Sequence, residues 1–335
     1  MIVVIGGSSF IGAYAVQALV DDGFEVLATG RSSSFGKHYA EMGVEYISYE
    51  LSDASASNAL PDKGVEAVIL LAALLPANSG ANLVDEDNAA EYVLVNTLGT
   101  ARLLEYCRRM GCRLVTTTSY ADVKLGWSAD EPITEQTPRG FEMSGDHCAY
   151  VISKNAASDL CEYYNQQHGM RNVVLRLPPV YGVGPHGDLL VDGKRRKSGI
   201  ALFVEQAKQG LPVTVYGDAS ASRDIVYVKD VADAIVHIVK SDVASGLYNI
   251  GSGRSTSLLE QAEAIAEVFE GPGGRSAVSV DPSRENGVVA YSMDISKARR
   301  DFGYEPRFAS FRDLMADWKG EEERGTYASL FEDAR

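Results

Sequence analysis

Basic charge, cysteine and long apolar runs are all scarce in this 335-residue chain. The 31 lysines and arginines face 46 acidic side chains, a net charge of -15, which argues against a nucleic acid or an anionic membrane surface as partner. The four cysteines, Cys107, Cys112, Cys148 and Cys161, form no Cys-x-x-Cys pair, so free thiols are expected rather than a zinc ribbon or a redox motif. The five histidines do not fall at metal-ligand spacing, and no metal is expected. The longest apolar run, 68–75, is stopped by Pro76 and is too short to cross a bilayer. It reads instead as a buried parallel strand. A first strand starting at Ile2 leaves no room for a charged leader, so a cytoplasmic protein is expected. No repeat or low-complexity tract is present, and the apolar share of 45% is ordinary for a globular chain.

What is present is an alternation of short apolar and longer amphipathic stretches. Apolar runs at 2–5, 25–29, 45–49, 67–73 and 114–117 alternate with helical patterns at 11–22, 35–42 and 89–110. That pattern predicts an α/β fold, a Rossmann doubly wound parallel sheet. After a strand at 173–177 come Pro178, Pro179, Gly182, Gly184 and Pro185, and a smaller C-terminal α/β substrate lobe is expected from residue 178 onward. Helices are expected at 200–209, 228–239 and 258–269, the second packing back on the first lobe. The third opens with Ser257 and Glu260, a capping-box pattern. Short strands are expected at 213–216 and 247–250.

The chemistry is carried by two motifs. In Val4-Ile5-Gly6-Gly7-Ser8-Ser9-Phe10-Ile11-Gly12, Gly6 permits a tight turn after the first strand and Gly12 lets the next helix pack closely, so the helix N-terminus can face a pyrophosphate. Dinucleotide folds that select NAD usually carry an acid at the end of the second strand, where this chain has Gly30. Arg31 and Ser32 follow and suit a 2′-phosphate, which favours NADP over NAD. The second motif is Tyr150-Val151-Ile152-Ser153-Lys154. Residues four apart share a helix face, so Lys154 is expected to lower the Tyr150 phenol and make it a proton acceptor. With 17 tyrosines and 11 lysines, about 0.6 such Tyr-x-x-x-Lys pairs arise by chance. A second copy, Tyr120 to Lys124, runs into Gly126 and is expected to be loop, whereas Tyr150 opens a helical pattern to His168.

Taken together, these residues resemble the extended short-chain dehydrogenase/reductase family, the NAD-dependent epimerase/dehydratases, along nearly the whole chain. The turn through Phe10 and Ile11 resembles the family's glycine turn, with Ser9 in place of a third glycine. Glu50 and Leu51 match an adenine-contacting pair, and Ala72 and Ala73 a segment lining the cofactor. Val95-Asn96-Thr97-Leu98-Gly99-Thr100 resembles the family helix whose asparagine, here Asn96, helps to shape the active site. Val115 to Ser119 resembles the strand end that supplies the catalytic hydroxyl, which the resemblance places on Thr118, with Ser119 second. Arg176 to Gly182 resembles a segment whose flanking residues, Pro178 and Val180 here, meet the cofactor, but Pro179 replaces an asparagine that contacts substrate. Arg223-Asp224-Ile225-Val226-Tyr227-Val228 matches the segment whose arginine meets a substrate diphosphate.

The resemblance implies an enzyme that epimerises a nucleotide sugar by transient oxidation, with Tyr150 as base, Thr118 holding the substrate oxygen and Lys154 beside the cofactor ribose. An NADPH-dependent ketoreductase acting on a small non-nucleotide carbonyl is the alternative, favoured by Arg31 and Pro179. Dehydratase chemistry is disfavoured because Ser119 and Tyr120 stand where dehydratases carry an Asp-Glu pair, which makes both substrate-facing candidates. A binding protein without turnover is a third reading. The basic run Lys194-Arg195-Arg196-Lys197 is either a lid over phosphates or a solvated surface. A homodimer through 89–110 and 150–168 is also implied.

Overall fold

The computed structural model describes all residues except 33, 77–87, 146, 186–187, 192–193 and 333–335. Its centre is a parallel sheet. The strands β1 (Ile2–Ile5), β2 (Val26–Gly30), β3 (Glu45–Ser48), β4 (Ala67–Leu70), β5 (Arg113–Ser119) and β6 (Val173–Leu177) are joined by Gly246–Asn249, in the order Gly246–Asn249, β6, β5, β4, β1, β2, β3. Every pairing in it is parallel. All residues of β1 and β4 are buried, as their uninterrupted apolar sequence requires when helices cover both sheet faces. The helices are α1 (Phe10–Asp21), α2 (Ser34–Glu41), α3 (Ala89–Tyr92), α4 (Gly99–Met110) and α5 (Cys148–His168). The strand order reverses between β1 and β4, and the crevice beyond their carboxyl ends is the topological switch point where such sheets bind ligands.

The chain returns to this sheet late. The helix Val228–Lys240 packs against α1, with Lys240 bonded to Asp22 at 2.7 Å, and Gly246–Asn249 then adds the strand beside β6. The second lobe pairs Val213–Tyr216 with Val278–Asp281 and contains Leu258–Val268, whose capping box between Ser257 and Glu260 forms as the sequence predicts.

Three expectations are corrected. The strand at 67–73 stops at Leu70, and 71–75 leave the ladder. The helix at 89–110 is not continuous: Val93–Leu98 is a π-helical segment between α3 and α4. Tyr120–Gly126 is a 3₁₀ helix capped by the Ser119 side chain, not a loop. One buried ion pair ties the 3₁₀ helix to the sheet. Arg176 on β6 donates to Asp122 at 3.1 Å, to the Thr134 carbonyl and to Asn249 Oδ1. Burial raises the Asp122 carboxyl despite Arg176 beside it. Among the described residues, no helix is long and apolar enough to cross a membrane, and the four cysteines are free thiols.

Candidate active site

A cleft of about 450 Å³ opens at the switch point. One wall is the turn after β1. Gly6 sits at φ +90°, and a Cβ there would lie 2.5 Å from the Ala72 backbone nitrogen. A Cβ on Gly12 would lie 2.0 Å from the Gly6 carbonyl oxygen, so both glycines are required for the close approach of turn, helix and wall. Ser9, which replaces the third glycine, is the N-cap of α1: its hydroxyl accepts from the Gly12 N–H at 3.2 Å. Phe10 and Ile11 line the cleft beside it.

The end of β2 explains the missing acid. A Cβ on Gly30 would lie 2.1 Å from Ser8 Oγ and 2.5 Å from the Tyr46 hydroxyl, so a side chain there would have to displace both hydroxyls. Arg31 is instead largely exposed at the rim, 3.8 Å from Glu50 Oε2, and both line the cleft with Leu51. Ser32 lies just behind, its hydroxyl 2.7 Å from that of Ser34.

Residues 71–75, including Ala72 and Ala73, form the opposite wall. Asn96 fixes them from behind. Its Oδ1 accepts from the Leu74 N–H at 2.8 Å, and its Nδ2 donates to the Leu74 carbonyl and to Ser153 Oγ, both at 3.0 Å. The Ser153 hydroxyl in turn donates to the Tyr150 carbonyl at 2.7 Å. Asn96 lies within the π segment Val93–Leu98, and such segments recur at functional sites.

Thr118, at the end of β5, and Tyr150, in the first turn of α5, face the same cleft. Thr118 is buried and its hydroxyl bonds to nothing among the described residues. Lys154 is buried one turn along from Tyr150. The expected lowering of the phenol is reversed: burial, with Tyr92 beside it, pushes Tyr150 above its ordinary value. Burial likewise lowers Lys154 to about 8. Desolvation penalises the charged form of each, and in this arrangement it outweighs any attraction between them. Tyr92, whose ring meets that of Tyr150 edge-on at 6.4 Å, was not singled out from the sequence.

Toward the second lobe, Ser119, Tyr120, Pro178 and Val180 line the cleft, while Pro179 and Arg223 do not. Tyr120 and Trp127 are stacked with ring centres 5.0 Å apart, and both rings pack on Tyr291. Behind them sits Arg223, in the strand Ser222–Asp224. Burial alone would lower its guanidinium, but Tyr181, Tyr120 and Tyr291 around it raise it. Its Nε is buried without a partner among the described residues. Neither Tyr120, beyond its place beside Ser119, nor this tyrosine enclosure was foreseeable as an Arg223 shell, because the four residues come from separate segments. The basic run lies in a hairpin of Asp188–Val191 with Lys194–Lys197, where Lys197 pairs with Glu205. Gly193, which precedes it, and Gly187, one of its two flanking glycines, lie outside the described residues, while the other, Gly199, opens the helix Gly199–Lys208.

The site residues suit a nicotinamide dinucleotide: the glycine cradle would be filled by any Cβ, the capped N-terminus of α1 faces the cleft, and the Thr118 hydroxyl is left for a ligand atom.

Comparison with known proteins agrees. The model of the NAD dependent epimerase/dehydratase family matches residues 2–251. A putative UDP-glucose 4-epimerase of Methanocaldococcus jannaschii is 27% identical over 307 residues, covering 91% of this chain and 93% of the relative. UDP-glucuronic acid decarboxylase 1 of Danio rerio is 26% identical, over 91% of this chain and 68% of its own. Among solved structures, the complex of Thermus thermophilus UDP-glucose 4-epimerase with NAD superposes with a TM-score of 0.70 at 26% identity, covering 95% of this chain and 99% of that one.

Proposed function

The chain belongs to the NAD dependent epimerase/dehydratase family, and from that premise we propose that it epimerises a nucleotide sugar, oxidising one carbinol transiently and reducing it again from the opposite face. The observation that carries this reading is the buried Thr118 hydroxyl, without a partner among the described residues, in the same cleft as Tyr150 and the glycine turn. A nicotinamide dinucleotide bound against that turn supplies the reversible two-electron acceptor. The chain's own residues handle the proton. Thr118 donates a hydrogen bond to the substrate oxygen, and Tyr150 removes the carbinol proton and later returns it. Because burial holds the phenol above its ordinary value, its base form needs a cation nearby. Lys154, one turn along the same helix, is the cation this chain offers. Asn96 acts through Leu74 and Ser153, holding the cleft wall and the Tyr150 helix in one register.

NADP is our preferred cofactor and NAD the alternative. The filled space at Gly30 and the exposed Arg31 favour a 2′-phosphate. Arg223 is the residue for a substrate diphosphate, released from its tyrosines by a charge-assisted contact. A second reading, an NADPH-dependent reductase of a small carbonyl, is favoured by Pro179 and by the enclosure of Arg223 away from the cleft. We also take the enzyme to be a cytoplasmic homodimer: Val93, Leu94, Leu98, Ile152 and Tyr163 are exposed apolar residues on the helices expected to pair. Light scattering that returns a monomer mass refutes the dimer.

Calorimetric titration of UDP, dTDP and GDP into protein saturated with NADP, and separately with NAD, tests the substrate class. Micromolar binding of one nucleotide supports the nucleotide-sugar reading, and no heat from any of them transfers the case to small ketones. In either event Tyr150→Phe loses at least about a hundredfold in kcat while cofactor binding persists; retained turnover rejects Tyr150 as the base.

A further inference from the structure

The cofactor cleft has a wall that the nucleotide-binding half of the chain does not supply. Phe331 lines it beside Gly6, Ser9, Phe10 and Arg31, yet it comes from the last helix, Thr326–Glu332, well beyond the family-matched residues 2–251. Its ring packs on Phe10 at 6.5 Å and on Phe35 at 5.7 Å, residues in the first turns of α1 and α2. It therefore stands over the gap between the two helix N-termini, on the side where Arg31 reaches the rim. One turn back, Tyr327 stacks on Tyr14 with ring centres 3.9 Å apart and planes 17° from parallel. Tyr14 is itself one turn along α1 from Phe10, so two aromatic pairs spaced i, i+4 meet in register.

We propose that this terminal helix is a latch on the cofactor, with Phe331 as its contact residue. Tyr327, Leu330 and Phe331 are all buried, so docking covers the apolar side of the segment. A helix of seven residues is not stable alone in water, and it hangs from Gly325, whose φ of +73° breaks it from the preceding helix Phe311–Arg324. Folding and docking are thus one event, and undocking opens the cleft beside the glycine turn. Retention suits an enzyme whose cofactor is regenerated within each turnover, whereas a reductase must exchange it every cycle. The inference rests on the cofactor reading above.

The test is a stopped-flow chase. Protein loaded with NADPH, and separately with NADH, is mixed with excess oxidised cofactor, and loss of bound nicotinamide fluorescence gives the release rate. Phe331→Ala, which removes the wall, and Tyr327→Ala, which undocks the helix without touching the cleft, are each expected to release about tenfold faster than wild type. If Phe331→Ala melts early in the cofactor-free state, Phe331→Leu, which loses the ring but keeps apolar volume, is read in its place. Release within twofold of wild type in both variants overturns the latch. Acceleration at Phe331 alone overturns it too, since a fixed wall contact then accounts for the effect. A wild-type protein that binds neither cofactor defeats the underlying reading as well as the latch.

Discussion

Replacing Lys154 by methionine should make the cofactor-free protein more stable while removing its activity. The ammonium is buried with only 3% of the residue exposed, and its pKa falls from 10.5 to about 8 because burial penalises the charged form. Below pH 8 both the folded and the unfolded chain carry the proton, so the whole penalty is present. At 1.4 kcal/mol per tenfold, the penalty is at most about 3 to 4 kcal/mol. Between pH 8 and 10.5 the folded chain has released the proton and the unfolded chain still holds it, so wild-type stability rises with pH across that window. Above 10.5 neither carries it and the penalty is gone. Lys154→Met keeps the apolar stem and abolishes the titration. Urea unfolding at pH 7 should therefore show the variant ahead by roughly 1 to 3 kcal/mol, and at pH 10 the gap should shrink to under about 1 kcal/mol. A variant less stable at pH 7, or a gap that does not close as pH rises, refutes the reasoning and means that Lys154 is already paired in the folded protein.

Two further outcomes follow from charges near the cleft and behind it. Glu50 accepts from Ser52 through Oε1 and leaves Oε2 toward Arg31, so Glu50→Gln should free Arg31 and raise kcat/KM with NADP relative to NAD by up to about fivefold, as befits an exposed pair; a shift toward NAD rejects Arg31 as the 2′-phosphate residue. Asp122→Ala leaves Arg176 charged and buried, and should lower unfolding stability by about 3 to 5 kcal/mol. A loss under 1 kcal/mol in denaturant titration means that Thr134 and Asn249 hold the guanidinium unaided.

What could be read from the sequence is what local geometry determines. Gly6 and Gly12 are forced by a turn within one strand-helix unit, and Tyr150 and Lys154 by a single helical turn, so both sites appear where their motifs stand. The sheet was legible because buried parallel strands are short apolar runs. The π segment at Val93–Leu98 was not, since one extra residue per turn leaves no mark in a period of 3.6. The Tyr150 shift was misjudged because spacing brings a lysine near but says nothing of how dry the place is. Arg223 among its tyrosines, and Phe331 at the cleft wall, depend on segments that meet only in the folded chain. The strand Gly246–Asn249 was recognised as a strand, but its place beside β6 depends on the return of Val228–Lys240 to α1.

The packing at Gly30 has a consequence for how this enzyme can be altered. An exchange of coenzyme preference by one acidic substitution at the end of β2 is obstructed here, because the Ser8 side chain and the Tyr46 hydroxyl already occupy the position its Cβ would take. An aspartate at that position must push the Ser8 and Tyr46 hydroxyls aside, and smaller residues at 8 and 46 would relieve that displacement. The three positions form one epistatic unit, whose separate effects on fitness will not add to the joint one. Selection acting by single steps meets a valley there, and variation in coenzyme use is expected to accumulate first at residues 31 and 50.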